Sequence, residues 1–458
     1  MHNSLKHTYE HISSTPENPF GNDILERRKF ANLLTSIATN YSNGFVMAIN
    51  GAWGTGKTVF IHQWKNLLSK SFKVTIFNAW DNDYFGEPTL AILSQLREFF
   101  DEEKSLSEKA FAAWKTLQQV PLSVIKGKMH QYISKAITDE AIRDIEDIYK
   151  HNLNYDIDYK ESDIISYVSQ RVDFIKYKNA LIDFAAEIVK DGKPLIFIID
   201  ELDRCTPSYA VEVLEKIKHL FNIPNIVFCL TIDKRQLIKS IQGYYGSYNF
   251  NGEEYLRRFF DIELELPQVK HQSFAFMLSE HFGINQYIRS TDDLFEFNCI
   301  CAEMAEKQNL TLRQLEKFYA HAKLVFSYYR IEKAEWIVAI LLIIHKFSNI
   351  TFEDIRRRNT DLEQYARNLK PFFDFSENGK GANKLGAFLY HIDTYLNPGH
   401  LISPSEDFKF TWNYEFSEKQ LDSISRSYIA ESQERYGVPT LDKIMSKILF
   451  IEQHISRP

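Results

Sequence analysis

The segment Gly51-Ala52-Trp53-Gly54-Thr55-Gly56-Lys57-Thr58 fits the pattern G-x-x-x-x-G-K-[ST] and limits the folds open to this chain more than any other stretch. Phosphate oxygens are gripped when several backbone N–H groups point into one small concavity, which needs a loop with few Cβ atoms. A helix that begins where such a loop ends turns its positive end toward the same anion. Lys57 then reaches the outer phosphates, and the Thr58 hydroxyl is placed to ligate Mg2+. The flanks supply the context this reading needs. Phe45-Val46-Met47-Ala48-Ile49-Asn50 is a short apolar run of the kind that forms a strand buried on both faces. After the loop, Phe60, Trp64, Leu67 and Leu68 recur at helical spacing.

Four more apolar segments read as strands: Phe72–Phe77, Leu195–Ile199, Ile226–Thr231, and Ile262–Leu266, which Pro267 stops. The second of these runs into Asp200-Glu201-Leu202-Asp203-Arg204 and then a helix. Thr206 suits that helix's N-cap and Pro207 its first position, with Val213, Leu214, Ile217, Leu220 and Phe221 along one face. Apolar strands alternating with amphipathic helices predict an α/β fold with a five-stranded, mainly parallel sheet covered on both faces. Parallel strands end on one edge, so Asp200 belongs beside the glycine loop, where its carboxylate can hold the magnesium shell. Glu201 is placed to orient and polarise an attacking water, with Asp203 the next candidate. Alone, such an acidic cluster is also an ordinary start to a helix. Paired with the glycine loop, it points to Mg-dependent nucleoside triphosphate hydrolysis. The chain has no N-K-x-D guanine signature, the nearest string being Asn383-Lys384-Leu385-Gly386, so ATP is expected rather than GTP.

Bulk properties narrow the partners. A chain of 458 residues can build two or three cores. A net charge of -7 and a pI near 6.1 disfavour a broadly basic nucleic-acid surface. Arg356-Arg357-Arg358 reads as a solvated helix face. No apolar stretch near Met1 suggests a signal peptide. The longest apolar run, Trp336 to Ile344, is nine residues long, whereas a membrane helix needs about twenty. Cys205, Cys229, Cys299 and Cys301 show neither C-x-x-C nor zinc spacing and read as reduced core thiols. A cytoplasmic protein without a membrane segment is expected.

With these motifs on the page, the sequence resembles the KAP family of P-loop NTPases, within the division that adds a strand to the sheet and a catalytic glutamate to the site. Asp23-Ile24-Leu25-Glu26-Arg27 resembles the family's lead-in on the adenine side, which implies a nucleotide contact for Arg27. Phe77-Asn78-Ala79-Trp80 resembles its second strand with the hallmark tryptophan. Phe197 to Cys205 resembles the acidic strand end, and Phe228 to Asp233 the next strand, closed by an aspartate. Tyr255 to Phe260 and Leu310 to Leu315 resemble downstream lid elements. The likeness runs from about Asp23 to Tyr319, broken by an insertion. It implies that Asp233 senses the γ-phosphate or positions the water. It also implies that Arg204, Arg257, Arg258 or Arg313 supplies a cation at the γ-phosphate, in this chain or toward a neighbouring subunit. For each arginine a plain salt bridge is the alternative. Two features depart from the family. Many members carry transmembrane helices inserted in the NTPase domain, whereas the longest apolar run of this insertion is Ala110 to Trp114. Leu312 stands before Arg313 where the family often has proline.

The expected organisation is a lead-in over residues 1–44, a P-loop core over 45–266 with a helical insertion at about 100–190, a helical lid over 267–350, and a C-terminal helical domain over 351–458. In the last, Phe372-Phe373-Asp374-Phe375, Tyr390, Tyr395, Trp412 and Tyr414 fit a plain core and an aromatic partner surface equally well. The expected function is ATP hydrolysis driving a conformational or assembly switch, read by a protein partner or a second copy. The resemblance implies bacterial members in anti-phage and mobile-element conflict. The alternatives are a motor or loader acting on DNA, and a nucleotide-bound scaffold with little turnover.

Overall fold

Five short segments, β1 (Val46–Asn50), β2 (Val74–Asn78), β3 (Leu195–Asp200), β4 (Ile226–Ile232) and β5 (Ile262–Glu265), form one sheet in the computed structural model. Their order is β2-β3-β4-β1-β5 and every pairing is parallel. The structure describes residues 14–21, 23, 26–41, 44–102, 107–119, 159–189, 192–220, 222–288, 290–329, 335–347, 349–358, 361–375, 381–397, 416–433 and 441–454. β4 lies between β1, which feeds the glycine loop, and β3, which ends in Asp200. The register sets Asn50 beside Ile232 and Asn78 beside Asp200, so the strands finish level with one another. β2 starts two residues later than its apolar pattern suggests, because the Phe72 amide still closes the preceding helix on the Leu68 carbonyl at 2.8 Å.

Period-two alternation sends each strand's residues to two cores. On one face Met47, Ile49, Ile196, Ile198, Val227 and Cys229 meet α1 (Arg28–Asn40) through Ala31, Leu34 and Ala38, and α2 (Lys57–Leu68) through Phe60, Ile61, Trp64 and Leu68. On α1 the helix seats Ala31, Leu34 and Ala38 against the sheet, leaving Leu33 exposed. After β2 come α3 (Ala79–Asp83), α4 (Pro88–Glu102), α5 (Glu108–Gln118) and α6 (Tyr159–Ile188). Further on are α7 (Pro207–His219), α8 (Lys234–Tyr244) and α9 (Gly252–Leu256). The opposite core joins Val46, Ala48, Phe77, Phe197, Ile199, Phe228 and Leu230 to residues of α4, α5, α6, α7, α8 and α9. The described parts of the insertion thus serve as cover for the sheet: Trp114 of α5 packs on Phe184 of α6, both within that core. Each large apolar side chain buried this way contributes about 1.5–3 kcal/mol.

This α/β unit comprises residues 1–22, 27–53 and 57–267; a second unit comprises 23–26, 54–56 and 268–458. The second unit is helical, with α10 (His271–His281), α11 (Thr291–Lys307), α12 (Leu312–Tyr328), α13 (Glu335–Phe347), α14 (Asn349–Arg357), α15 (Leu362–Leu369), α16 (Gly381–Leu396), α17 (Glu418–Gln433) and α18 (Leu441–His454). A reciprocal capping box between Thr311 and Gln314 starts α12. The apolar run from Ile337 to Ile344 is buried throughout in α13, and no described helix is long and apolar enough to cross a membrane. Phe372, Phe373 and Tyr390 are buried as core, while Trp412 and Tyr414 lie outside the described residues. Arg356 and Arg357 both pair with Glu353 along an exposed face of α14. Among the four free thiols, Cys205, Cys229 and Cys301 are buried, but Cys299 is half-exposed.

Gly386 shows where packing overrides propensity. A Cβ there would stand 2.2 Å from the Ile424 carbonyl oxygen of α17, a backbone atom that cannot swing away. Gly to Ala in a helix interior ordinarily gains about 1 kcal/mol. Here the two helices must part, which costs about 1–3 kcal/mol. Gly386→Ala is therefore expected to lower the denaturant midpoint, and an unchanged or raised midpoint in urea unfolding would contradict the close approach of α16 and α17.

Candidate nucleotide-binding site

The glycine loop leaves β1 with the Gly51 amide donating to the Ile232 carbonyl at 3.0 Å, so its first step is tied to β4. Gly54 and Gly56 follow at φ +80° and +84°, a conformation that only glycine takes without strain. Lys57 is the first residue of α2 and is only 9% exposed. Its Nζ donates to the Gly51 carbonyl at 2.6 Å and the Ala52 carbonyl at 3.4 Å. Burial pushes this ammonium below the usual lysine range, against the pull of the Asp203, Asp233 and Asp200 carboxylates. A desolvated cation held by neutral carbonyls gains when an anion joins it.

Across the sheet edge, the Thr58 hydroxyl donates to Asp200 Oδ2 at 2.8 Å. Asp200 is 3% exposed, and its other oxygen accepts the Thr231 hydroxyl from β4. Thr231 escaped the sequence reading. The signal was present, since Thr231 is the lone hydroxyl in the apolar run Ile226–Ile232, and a hydroxyl buried there needs a partner. The Thr58 and Asp200 oxygens fit a hard divalent cation. Among the described residues no group of three or more His, Cys, Asp or Glu forms an all-protein metal cage.

Glu201 follows β3 in the left-handed region, at φ 61° and ψ 24°. For a residue with a Cβ this costs about 1–2 kcal/mol. Such strain persists where surrounding structure enforces it, and it clusters at working sites. The Glu201 carboxylate pairs with Arg204 at 2.8 Å and is 13% exposed. Burial lifts its carboxyl above the usual range; Arg204 opposes this, and Asp200, Asp81 and Asp203 add to it. Asp203, 5% exposed, accepts the Trp53 indole N–H on Oδ2, a pairing the sequence did not suggest. The Trp53 amide donates to Asp233 Oδ2 at 3.1 Å. Asp233 Oδ1 accepts the Gln236 amide at 3.3 Å as the N-cap of α8. Both Asp233 oxygens are thus occupied by backbone amides.

The remaining candidates scatter. Arg27 is 1% exposed and donates to the Pro267 carbonyl at 3.2 Å. Arg257 is exposed and pairs with Glu253 and Glu254; Arg258 is exposed beside Phe259, which with Tyr255 and Leu256 belongs to the α/β core. In the second unit the Arg313 amide donates to the Gly54 carbonyl at 3.4 Å, and a Cβ on Gly54 would stand 2.9 Å from Thr311 Oγ1. Trp80 is not a strand residue. β2 stops at Asn78, whose side chain caps α3 through the Trp80 and Asp81 amides, leaving Trp80 half exposed with Arg204 over its ring. Thr206 stands at the N-cap of α7 with Pro207 following, but its hydroxyl and amide both bind the Asp83 carboxylate, so it makes no side-chain cap.

Comparison with known proteins identifies the family of the chain. The pattern described as the KAP family P-loop domain matches residues 27–329, about two thirds of the chain. Curated proteins give no match. Among solved structures, a chain described as "Structure of Drosophila ORC bound to DNA" is similar over 93% of this chain and 85% of that one, at 14% identity and a TM-score of 0.32. The assignment rests on the domain match.

Asp203 generates a test in the chain without nucleotide. Burial raises its carboxyl above the ordinary aspartate range, outweighing the opposing effects of Lys57 and the Trp53 indole. A folded-state value above the unfolded one means that stability is full below the unfolded pKa and is lost as pH rises through the folded one. At neutral pH the ionised group therefore costs stability. Asp203→Asn should melt at a higher temperature than wild type at pH 7.5, with the gap closing at pH 4. A lower melting temperature for the variant at pH 7.5 would reverse this assignment.

Proposed function

We propose that this chain, which belongs to the KAP family of P-loop NTPases, hydrolyses ATP with Mg2+ at the loop Gly51–Thr58 and uses the cycle as a conformational or assembly switch. The observation that carries the reading is the meeting of a buried ammonium at Lys57, the Thr58–Asp200 oxygen pair and the Glu201 carboxylate at one edge of a parallel sheet. ATP is preferred because no guanine-reading N-K-x-D string is present.

Each residue has a chemical task. The backbone amides of the loop and the Lys57 ammonium take the phosphate oxygens, giving up the weaker bonds to the Gly51 and Ala52 carbonyls. Thr58 and Asp200 would hold the magnesium ion, which supplies charge neutralisation at the β- and γ-phosphates. Thr231 fixes the Asp200 carboxylate from the neighbouring strand. Glu201 accepts a proton from water or aligns it, and the burial that lifts its carboxyl above the usual range makes it a stronger base than an exposed glutamate. Arg204, bonded to Glu201, is the arginine of this unit nearest that task in bonding terms. The switch part of the proposal is supported by exposed Trp53 and Trp80 beside this cluster, a surface on which a second copy or a protein partner can register the site's state.

Two variants measured with radiolabelled ATP test the assignment. Lys57→Ala is expected to weaken binding by about 100-fold or more, the usual penalty for deleting one partner of a buried charge pair. Glu201→Gln should bind normally while turnover falls by about 10²–10⁴-fold. Wild-type turnover in Glu201→Gln would remove that residue from the mechanism. The switch itself is read by mass in solution, and a chain that stays monomeric and unchanged in hydrogen exchange across nucleotide states would refute it.

A further inference from the structure

One buried acid at this edge has no task in the scheme above. Asp203 lies in the short turn Leu202–Arg204 after β3, close enough to Lys57 to pull on its charge. Its carboxylate is buried and accepts the Trp53 indole N–H on Oδ2, with the Asp203 and Asp233 amides also favouring its charged form. A buried carboxylate is a poor choice for packing alone, since an apolar side chain of similar size would avoid the desolvation. Its presence is better explained by what it holds. Trp53 is 46% exposed and lines an open groove of about 470 Å³ with Trp80, Arg204 and Pro207. A ring with half its surface in water is not fixed by core packing, so the bond to Asp203 selects its orientation. The Trp53 amide is held in turn by Asp233. The third residue of the loop is thereby fastened through its backbone and its side chain, by carboxylates that follow two different strands.

We propose that Asp203 is a positioning residue for the phosphate loop, acting through the Trp53 indole. The proposal rests on the nucleotide reading given above and adds to it the part that sets the loop before the anion arrives. A loop whose amides must converge on one anion loses affinity whenever binding has first to order it. Trp53→Phe keeps the ring and deletes the N–H. Asp203→Leu deletes the acceptor. Asp203→Asn keeps an oxygen that can accept the same N–H.

Titration of each variant with a methylanthraniloyl derivative of ATP, with circular dichroism melts to establish folding, decides the matter. Trp53→Phe and Asp203→Leu should each bind about tenfold more weakly, the loss expected when one hydrogen bond to a charged group goes. Asp203→Asn should recover most of the affinity lost in Asp203→Leu. In a ¹H–¹⁵N spectrum, the indole signal missing from Trp53→Phe should move in Asp203→Leu and lie near its wild-type position in Asp203→Asn. Wild-type affinity in both Trp53→Phe and Asp203→Leu overturns the positioning role. Absence of nucleotide binding by the wild-type chain overturns the ATP reading instead, and the indole signal still reports whether the two side chains are bonded.

Discussion

Burying the Lys57 ammonium sets the terms for everything around it. Its Nζ sits on the Gly51 and Ala52 carbonyls, and the carboxylates that act on it stand at Asp200, Asp203 and Asp233. Two unit charges 4 Å apart interact by about 4 kcal/mol at the effective dielectric of a protein edge. Changing any member of such a group alters the electrostatic balance of the others. Only a parallel sheet brings these residues together from so far apart in sequence, because β1, β3 and β4 all finish on the same side. Even with Arg204 counted beside Lys57, the acids at Asp200, Glu201, Asp203 and Asp233 outnumber the cations. A triphosphate would deepen that imbalance, so binding one here calls for a divalent cation on physical grounds alone.

The loops at this edge are tied by side chains rather than by further secondary structure. Asn50, the last residue of β1, accepts the Lys234 amide at the start of α8 on its Oδ1 at 3.0 Å and donates from Nδ2 to Glu265 at 2.7 Å. Asp233 caps α8 and holds Trp53; Asn78 caps α3; Asp83 holds Thr206. Each bond satisfies a backbone or hydroxyl donor that the sheet leaves over. The left-handed turn at Glu201 is tolerated within this frame. A site assembled this way spends its conformational freedom at folding, and less is left to lose when a ligand arrives.

How far this was legible depended on whether a residue's role is set by its own chain neighbourhood. The five strands and the glycine loop were readable because buried parallel strands are continuous apolar runs and the loop is a local pattern. Their edges slipped by one or two residues, as at Val74, where a helix-closing bond competes with the strand. Asp200 was placed correctly beside Thr58 because strand direction carries that information. The partners of Trp53, Thr206 and Thr231 were not legible. Each depends on a residue 31 to 150 positions away, Asp203, Asp83 and Asp200, and no periodicity encodes which acid will face which donor. Trp80 was misplaced for a local reason: Asn78 can continue a strand or cap a helix, and the choice fell to the cap.

The aromatic residues divide between core and surface in a way the sequence left open. From sequence, the C-terminal aromatics fitted a core or a surface equally. Phe372, Phe373 and Tyr390 are buried in the helical unit, while Phe375 and Tyr395 are half-buried. The large rings left in water near the glycine loop are Trp53 and Trp80, with Tyr84 at 91% and Phe85 at 73% exposure just beyond α3. Core packing accounts for none of these four, and rings of this kind anchor protein contacts when a rim of polar groups surrounds them. Here the rim is built from Arg204, Gln236 and Lys239 on one side and Asp83 and Glu212 on the other. Arg204 belongs both to this rim and to the Glu201 ion pair, so a contact that drew its guanidinium outward would alter the surroundings of the Glu201 carboxylate, the base of the proposed reaction. Recognition and chemistry would then share one side chain, which is the shortest physical route by which contact could change turnover.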